Sequence, residues 1–284
     1  MEKNFNTKEE LFDHLIENKE DLMYAKKCTI KQGDSLDFEV VTKYENGVEV
    51  PMEAFKSGDE RLTAVKVSSQ DASSGVVKVE AVINTTNWMD SHKDVHINGI
   101  WNRSIKNNKR IKHLQEHEMR FDKIIADKED LEVSVEEFTW KDLGYDMEGK
   151  TEALLFKSTV KEERNPAMFK EYGSGNVDNH SVGMQYVKLK LAVNSDKDGH
   201  KEEKSNWDTY FPMVANKKEA ERHGYFWAVL EAKAHEGSAV VNGSNSMTPT
   251  LSRDKHIEVE ETQPDALSLE ESELNKFFNI KNEE

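Results

Sequence analysis

The stretch from Asn176 to Val193 constrains this chain most. A polar approach, Asn176-Val177-Asp178-Asn179, turns into a run that continues through Val182, Tyr186, Val187 and Leu189 to Val193, and this predicts a long strand. Gly183 inside that run leaves room for another backbone to approach closely. Ser181 stands at the mouth of the strand, two residues before the glycine.

A strand of this length needs a core to lie against. With 284 residues and 36% hydrophobic content, the chain can bury one sizeable core or two small ones. The charged fraction of 33% then implies polar segments outside that core. The formal charge of -16 argues against nucleic acid as a partner, because phosphate neutralisation requires clustered Lys and Arg. The single cysteine, Cys28, cannot form an intrachain disulfide, which fits a reducing cytoplasm. No apolar run approaches bilayer-spanning length and Met1 to Phe5 lacks a signal-like apolar segment, so the reading is a soluble protein without a membrane partner.

Taken in order, Thr7-Lys8-Glu9-Glu10 has the form of a capping box, and Leu11, Phe12, Leu15, Ile16, Leu22 and Met23 recur at helical spacing. This predicts an N-terminal amphipathic helix that docks on the main domain or on a partner. Leu36 to Val41 reads as a short strand, and the composition up to residue 75 is that of turns and linkers. The domain reading is therefore an extension over 1–60, a main domain over 61–250 and an acidic tail over 251–284 with a short amphipathic helix bearing Leu274, Phe277 and Phe278.

Within the main domain, Val76 to Asn84 alternates as a strand. Asn87 to Val95 is dense in Asn, Asp and His and reads as a solvated turn, with metal binding as the sharper alternative. A helix over 102–110 follows, and Leu131 to Trp140 with Thr151 to Val160 predicts a hairpin. Asn165-Pro166 starts a short helix ending near Gly173. Pro212 interrupts a helix marked by Trp207 and Tyr210. Tyr225 to Glu236 is an aromatic-rich strand on which Glu231, Lys233 and His235 share one face by simple alternation. Asn242 to Thr250 has the composition of an exposed polar segment.

Two histidines and a glutamate fall within His113-Leu114-Gln115-Glu116-His117. The pattern fits H-x-x-E-H, in which His at i and i+4 of a helix bind zinc and Glu activates water. The flanking residues read instead as strand, turn and strand. On a strand the two histidines stand roughly 13 Å apart, too far to share one ion. The alternative takes His117 alone as a general base.

In order, the strand and Asp-rich turn over Ala81 to Val95, a helix, Gln115-Glu116-His117-Glu118, a short helix, Asn179-His180-Ser181-Val182-Gly183, and Leu230 to Ala239 resemble the prohead, or head-maturation, serine proteases of tailed bacteriophages. The resemblance covers roughly Val76 to Thr250. That family carries a histidine in a Trp-Gln-His-Asp-like segment, a serine in a Leu-Ser-Ile-Gly-like segment and an acidic residue in a Leu-Glu-Val-Ser-like strand. By position these are His117, Ser181 and Glu231, with His235 as the alternative third member. This chain departs in having Gln-Glu-His-Glu for the first segment and His180 before the serine.

The resemblance implies an α+β fold, an assemblin-like β-barrel of mostly antiparallel strands with surrounding helices and terminal helical extensions. It implies a serine endopeptidase that needs neither metal nor other cofactor, with Ser181 as nucleophile and His117 as base. Its substrates would be scaffold, the scaffolding segment of the major capsid protein, and the protease itself, cut inside the immature procapsid in the host cytoplasm. A homo-oligomer stays open, as do two alternatives: a non-catalytic capsid-assembly protein of the same fold, and a zinc peptidase built on His113, Glu116 and His117. The chemistry is consistent with the residue types, since serine needs a base within hydrogen-bonding reach and that base needs a third group to orient it. His180 cannot serve its neighbour, because consecutive strand residues point to opposite sides of the sheet.

Overall fold

The computed structural model describes residues 5–28, 30, 66–68, 75–108 and 110–254, and it is an α+β protein. Its strands are β1 (Lys66–Ser68), β2 (Val76–Thr85), β3 (Asp94–His96), β4 (His113–Gln115), β5 (Ile124–Ala126), β6 (Leu131–Thr139), β7 (Lys150–Lys161), β8 (His180–Val193), β9 (Tyr225–Ala239) and β10 (Thr250–Asp254). Its helices are α1 (Lys8–Glu17), α2 (Lys19–Cys28), α3 (Asn102–Asn107), α4 (Pro166–Ser174), α5 (Lys201–Tyr210) and α6 (Lys217–His223).

The strands form two sheets. One runs β1-β10-β2-β7-β6, with β7 antiparallel to both β2 and β6. The other runs β3-β9-β4-β5, with β8 also paired to β9 along nearly its whole length. The short strands β3 and β4 run parallel to β9, at its start and its end respectively. Among the described residues the pairings do not close either sheet into a barrel.

Both sheets contribute to one hydrophobic cluster. Val77, Val79, Ala81, Ile83, Leu154 and Phe156 from β2 and β7 meet Val182, Met184, Leu189, Val229 and Ala234 from β8 and β9. The sheets meet tightly at Gly237, where a Cβ would come within 2.7 Å of the Ile83 and 2.6 Å of the Phe156 side chains. Phe156 is fully buried there, a position at which truncation to alanine typically costs about 3–5 kcal/mol.

The N-terminal periodicity resolves into two helices rather than one. Thr7 caps α1, its hydroxyl accepting from Glu10 N–H, and Leu11, Phe12 and Leu15 join the main core. Asn18 stops α1, donating its own N–H to the His14 carbonyl, and α2 follows at once. Helices α1 and α2 thus pack with the main domain. Asn165 caps α4 ahead of Pro166, Gly175 closes it in a left-handed conformation, and Pro212 ends α5 as expected.

Two expectations are overturned. The Asn87 to Val95 turn is not solvated: Asp90 and Asp94 are 3% and 0% exposed. The segment from Asn245 to Thr250 is largely buried rather than exposed, because Asn245 hydrogen-bonds the Thr85 carbonyl while Met247 packs beside Trp88 and Trp140. The Leu36 to Val41 strand and the C-terminal helix lie outside the described residues.

Candidate active site

The site is built on the β8–β9 ladder. Its register pairs Ser181 with Ser238, Val182 with Gly237 and Gly183 with Glu236, then moves to Met184 with Ala234. His235 therefore has no partner on β8, which makes it the extra residue of a β-bulge. The bulge shifts the alternation by one. On its C-terminal side the face shared with Ser181 and Gly183 belongs to Glu236 and Ser238, not to His235.

The structure does not bring Glu231 to His117. Glu231 pairs with Lys188, farther along the ladder, and its carboxylate binds Arg103 at 3.1 Å on the protein surface. The acid brought to His117 is Glu236, fully buried, whose Oε1 lies 2.6 Å from His117 Nδ1. His235 makes no such contact; its Nε2 is buried without a hydrogen-bond partner, and burial, then Lys233, lowers its pKa. A signal for Glu236 was present in the sequence. The Leu-Glu-Val-Ser pattern places a serine two residues after the acid, which Glu236-Gly237-Ser238 satisfies and Glu231-Ala232-Lys233 does not.

His117 reaches this face from the other flank of β9. Strand β4 pairs with Gly237 to Ala239, and the chain then turns sharply, with Glu116 and His117 both left-handed at φ 52° and 58°. Side chains beyond Cβ seldom adopt this backbone, and such strain persists only where surroundings fix it. Three bonds do so: Glu116 N–H to the Ala239 carbonyl, Glu118 N–H to the Gln115 carbonyl, and His117 N–H to Ser238 Oγ at 3.1 Å.

Gly183 makes the geometry possible. A Cβ there would fall 1.9 Å from Glu236 Oε1 and 2.7 Å from its Cδ, so the carboxylate occupies the volume a side chain would fill. The room read from the sequence as space for a backbone is taken by a side chain. Because that same Oε1 holds His117 Nδ1, the imidazole is tied to the Gly183 face of the ladder, and it makes no hydrogen bond to Ser181 Oγ. The carboxylate can only accept here, which assigns the ring proton to Nδ1 and the lone pair to Nε2. Nε2 is buried and has no hydrogen-bond partner. Ser181, 6% exposed, lies beside the Asn242–Ser244 loop, where a Cβ on Gly243 would stand 3.5 Å from its own.

Behind Ser181, on the opposite side of the sheet, His180 ends a buried polar chain. His180 Nδ1 contacts the Thr248 carbonyl at 2.9 Å, His180 Nε2 the Tyr172 hydroxyl at 3.0 Å, that hydroxyl His113 Nε2 at 3.1 Å, and His113 Nδ1 Ser158 Oγ at 2.8 Å. A carbonyl only accepts, so with neutral rings His180 donates from Nδ1, Tyr172 donates to His180, His113 donates to Tyr172 and Ser158 donates to His113. Burial, then the neighbouring His180, holds the His113 pKa well below its usual value. Both ring nitrogens of His113 are thus occupied inside the core while His117 is turned to Glu236. The H-x-x-E-H segment is a short strand and a turn, and it does not bring the two histidines to one point. No cluster of three or more potential metal-ligating side chains occurs among the described residues.

The acidic turn holds a cation, but it is a side chain. Lys26 of α2 reaches Asp94 Oδ1 at 2.6 Å, Tyr186 donates to Asp94 Oδ2 at 2.6 Å, and the ammonium lies over the Trp227 and Tyr186 rings. Burial alone would raise the Asp94 pKa, yet Lys26 and Tyr186 bring it below the ordinary carboxylate value. Asp90 is pushed up to about 8 by burial and by the Asp94 charge. Comparison with known proteins adds no identification: no family model matches the chain, no curated protein matches it, and no solved structure matches it.

Proposed function

We propose that this chain is a serine endopeptidase of the phage head-maturation class, with Ser181 as nucleophile, His117 as general base and Glu236 as the group that orients the base. The observation that carries the reading is the His117 imidazole, held at Nδ1 by a buried carboxylate and presenting an unpartnered Nε2 on the face of the sheet that bears Ser181. Ser181 Oγ attacks the scissile carbonyl while Nε2 accepts its proton. The Glu236 carboxylate stabilises the imidazolium so formed, and Nε2 then returns the proton to the leaving amine. Water, deprotonated at the same nitrogen, releases the acyl group from Ser181.

The biological role follows from the resemblance: trimming of scaffold, of the scaffolding segment of the major capsid protein and of the protease itself, inside the procapsid in the host cytoplasm, with self-association as part of the same reading. The reading further takes the two sheets as a variant of the assemblin-type barrel, supported by their common core. No helix among the described residues is long and apolar enough to cross a membrane.

Co-expression with the matching capsid protein, followed by intact-mass analysis, tests the reading. Wild type is expected to trim capsid protein or itself, and Ser181→Ala neither. Equal trimming by both, or by neither, sinks it.

A further inference from the structure

We infer that Ser238 is a positioning residue for this site, one hydroxyl that fixes both ends of the His117 geometry; the inference rests on the proposed roles of His117 and Glu236. Ser238 is fully buried. Its Oγ donates to Glu236 Oε2 at 2.6 Å, the carboxylate oxygen that His117 does not use, and accepts from the His117 backbone N–H at 3.1 Å. The single hydroxyl proton is committed to the carboxylate, so the lone pair is what meets the N–H.

The two bonds act on different freedoms. The first stops the Glu236 carboxylate from rotating away from Nδ1, and the second holds the left-handed backbone of His117 from which the imidazole projects. Ser238 is also the cross-strand partner of Ser181, and such partners have Cβ atoms about 4.5–5.5 Å apart. A purely packing role would need neither hydrogen bond; alanine would fill the space almost as well.

The test uses the full chain and two readouts. The first is the second-order rate at which a fluorophosphonate labels Ser181, followed against pH. The second is the proton NMR resonance of His117 Nδ1–H, which a short bond to a carboxylate moves far downfield and which His117→Gln identifies by its loss. Ser238→Ala is expected to label about 10–100-fold more slowly, the scale set by ångström-level misplacement of a catalytic group, and to lose or broaden the downfield resonance. Ser238→Thr, which keeps the hydroxyl, is expected to recover most of both. If Ser238→Ala does not fold, Ser238→Cys replaces it, and its weaker donor predicts the same losses in smaller degree.

Wild-type rate, pH profile and resonance in the folded Ala or Cys variant would overturn the inference. If wild type itself is not labelled at Ser181, the nucleophile assignment fails instead. The downfield resonance then decides on Ser238 by itself: retained in the variant, it refutes the positioning role; lost there and recovered in Ser238→Thr, it supports it.

Discussion

Gly183 and Glu236 face each other across β8 and β9, and the carboxylate of one fills the volume where the other would carry a side chain. Gly183→Ala is therefore expected to push Glu236 away from His117. Alanine in a strand normally gains about 0.5–1 kcal/mol over glycine; here overpacking should cost about 1–3 kcal/mol instead. Peptide cleavage should fall by about two orders of magnitude, by the sensitivity of catalysis to misplacement. Denaturant melts and turnover together check this, and unchanged turnover would show that the carboxylate is not needed where it sits.

Glu236→Gln and Glu231→Gln separate two acids that sequence alone ranks the other way. The first removes the carboxylate that holds His117 and should lower kcat on the order of 10²–10⁴-fold. The second loosens a surface pair with Arg103, whose side chain is 73% exposed, and should change stability by no more than about 0.5 kcal/mol and activity little. Steady-state kinetics on a capsid-derived peptide distinguishes them.

His113→Phe should leave the buried Ser158 hydroxyl without its acceptor and the Tyr172 hydroxyl bonded to His180 alone, at a cost of about 1–3 kcal/mol. Chelators should leave activity unchanged, because His113 and His117 serve different networks. Loss of activity on metal removal, restored by zinc, would contradict this.

Acid sensitivity has a defined source. Burial brings His96 down to about 4, from an unfolded value near 6.5. The unfolded chain then binds the proton first, so this contribution is full above about pH 6.5 and is lost as pH falls towards 4. Between pH 7 and pH 5 the loss from His96 amounts to about 2 kcal/mol. His96→Leu should flatten that part of the profile in urea titrations at fixed pH values.

Lys26→Met would leave the Asp94 carboxylate buried and unpaired, which typically costs about 3–5 kcal/mol. Adding Asp94→Asn should recover part of the loss. A thermal-melt double-mutant cycle with non-additive terms is the expected result.

The long strands β2 and β6 to β9 and the capped helices α1 and α4 were legible because each rests on local rules: alternation, capping side chains, and Gly or Pro at ends. Residue type and resemblance singled out Ser181 and His117, and the structure places Ser181 opposite Ser238 and His117 against Glu236 at the same end of β9. Glu236 was not singled out, because the face a residue takes depends on counting by twos, and the bulge at His235 breaks the count without a mark in composition. The burial of the acidic turn was hidden for another reason. Its countercharge, Lys26, lies 68 residues away in a helix whose apolar stripe gives no hint that one ammonium is turned inward.

The chain from Ser158 through His113, Tyr172 and His180 to Thr248 has a direction, set at one end by a carbonyl that can only accept. Its members cannot rotate or change tautomer one at a time. A proton added to His180 must either break a bond or turn Tyr172, His113 and Ser158 round together. The wall behind the Ser181 strand therefore behaves as a single polar unit with two senses and nothing between, and the orientation of a hydroxyl in one sheet is decided by a peptide group that follows the last long strand of the other.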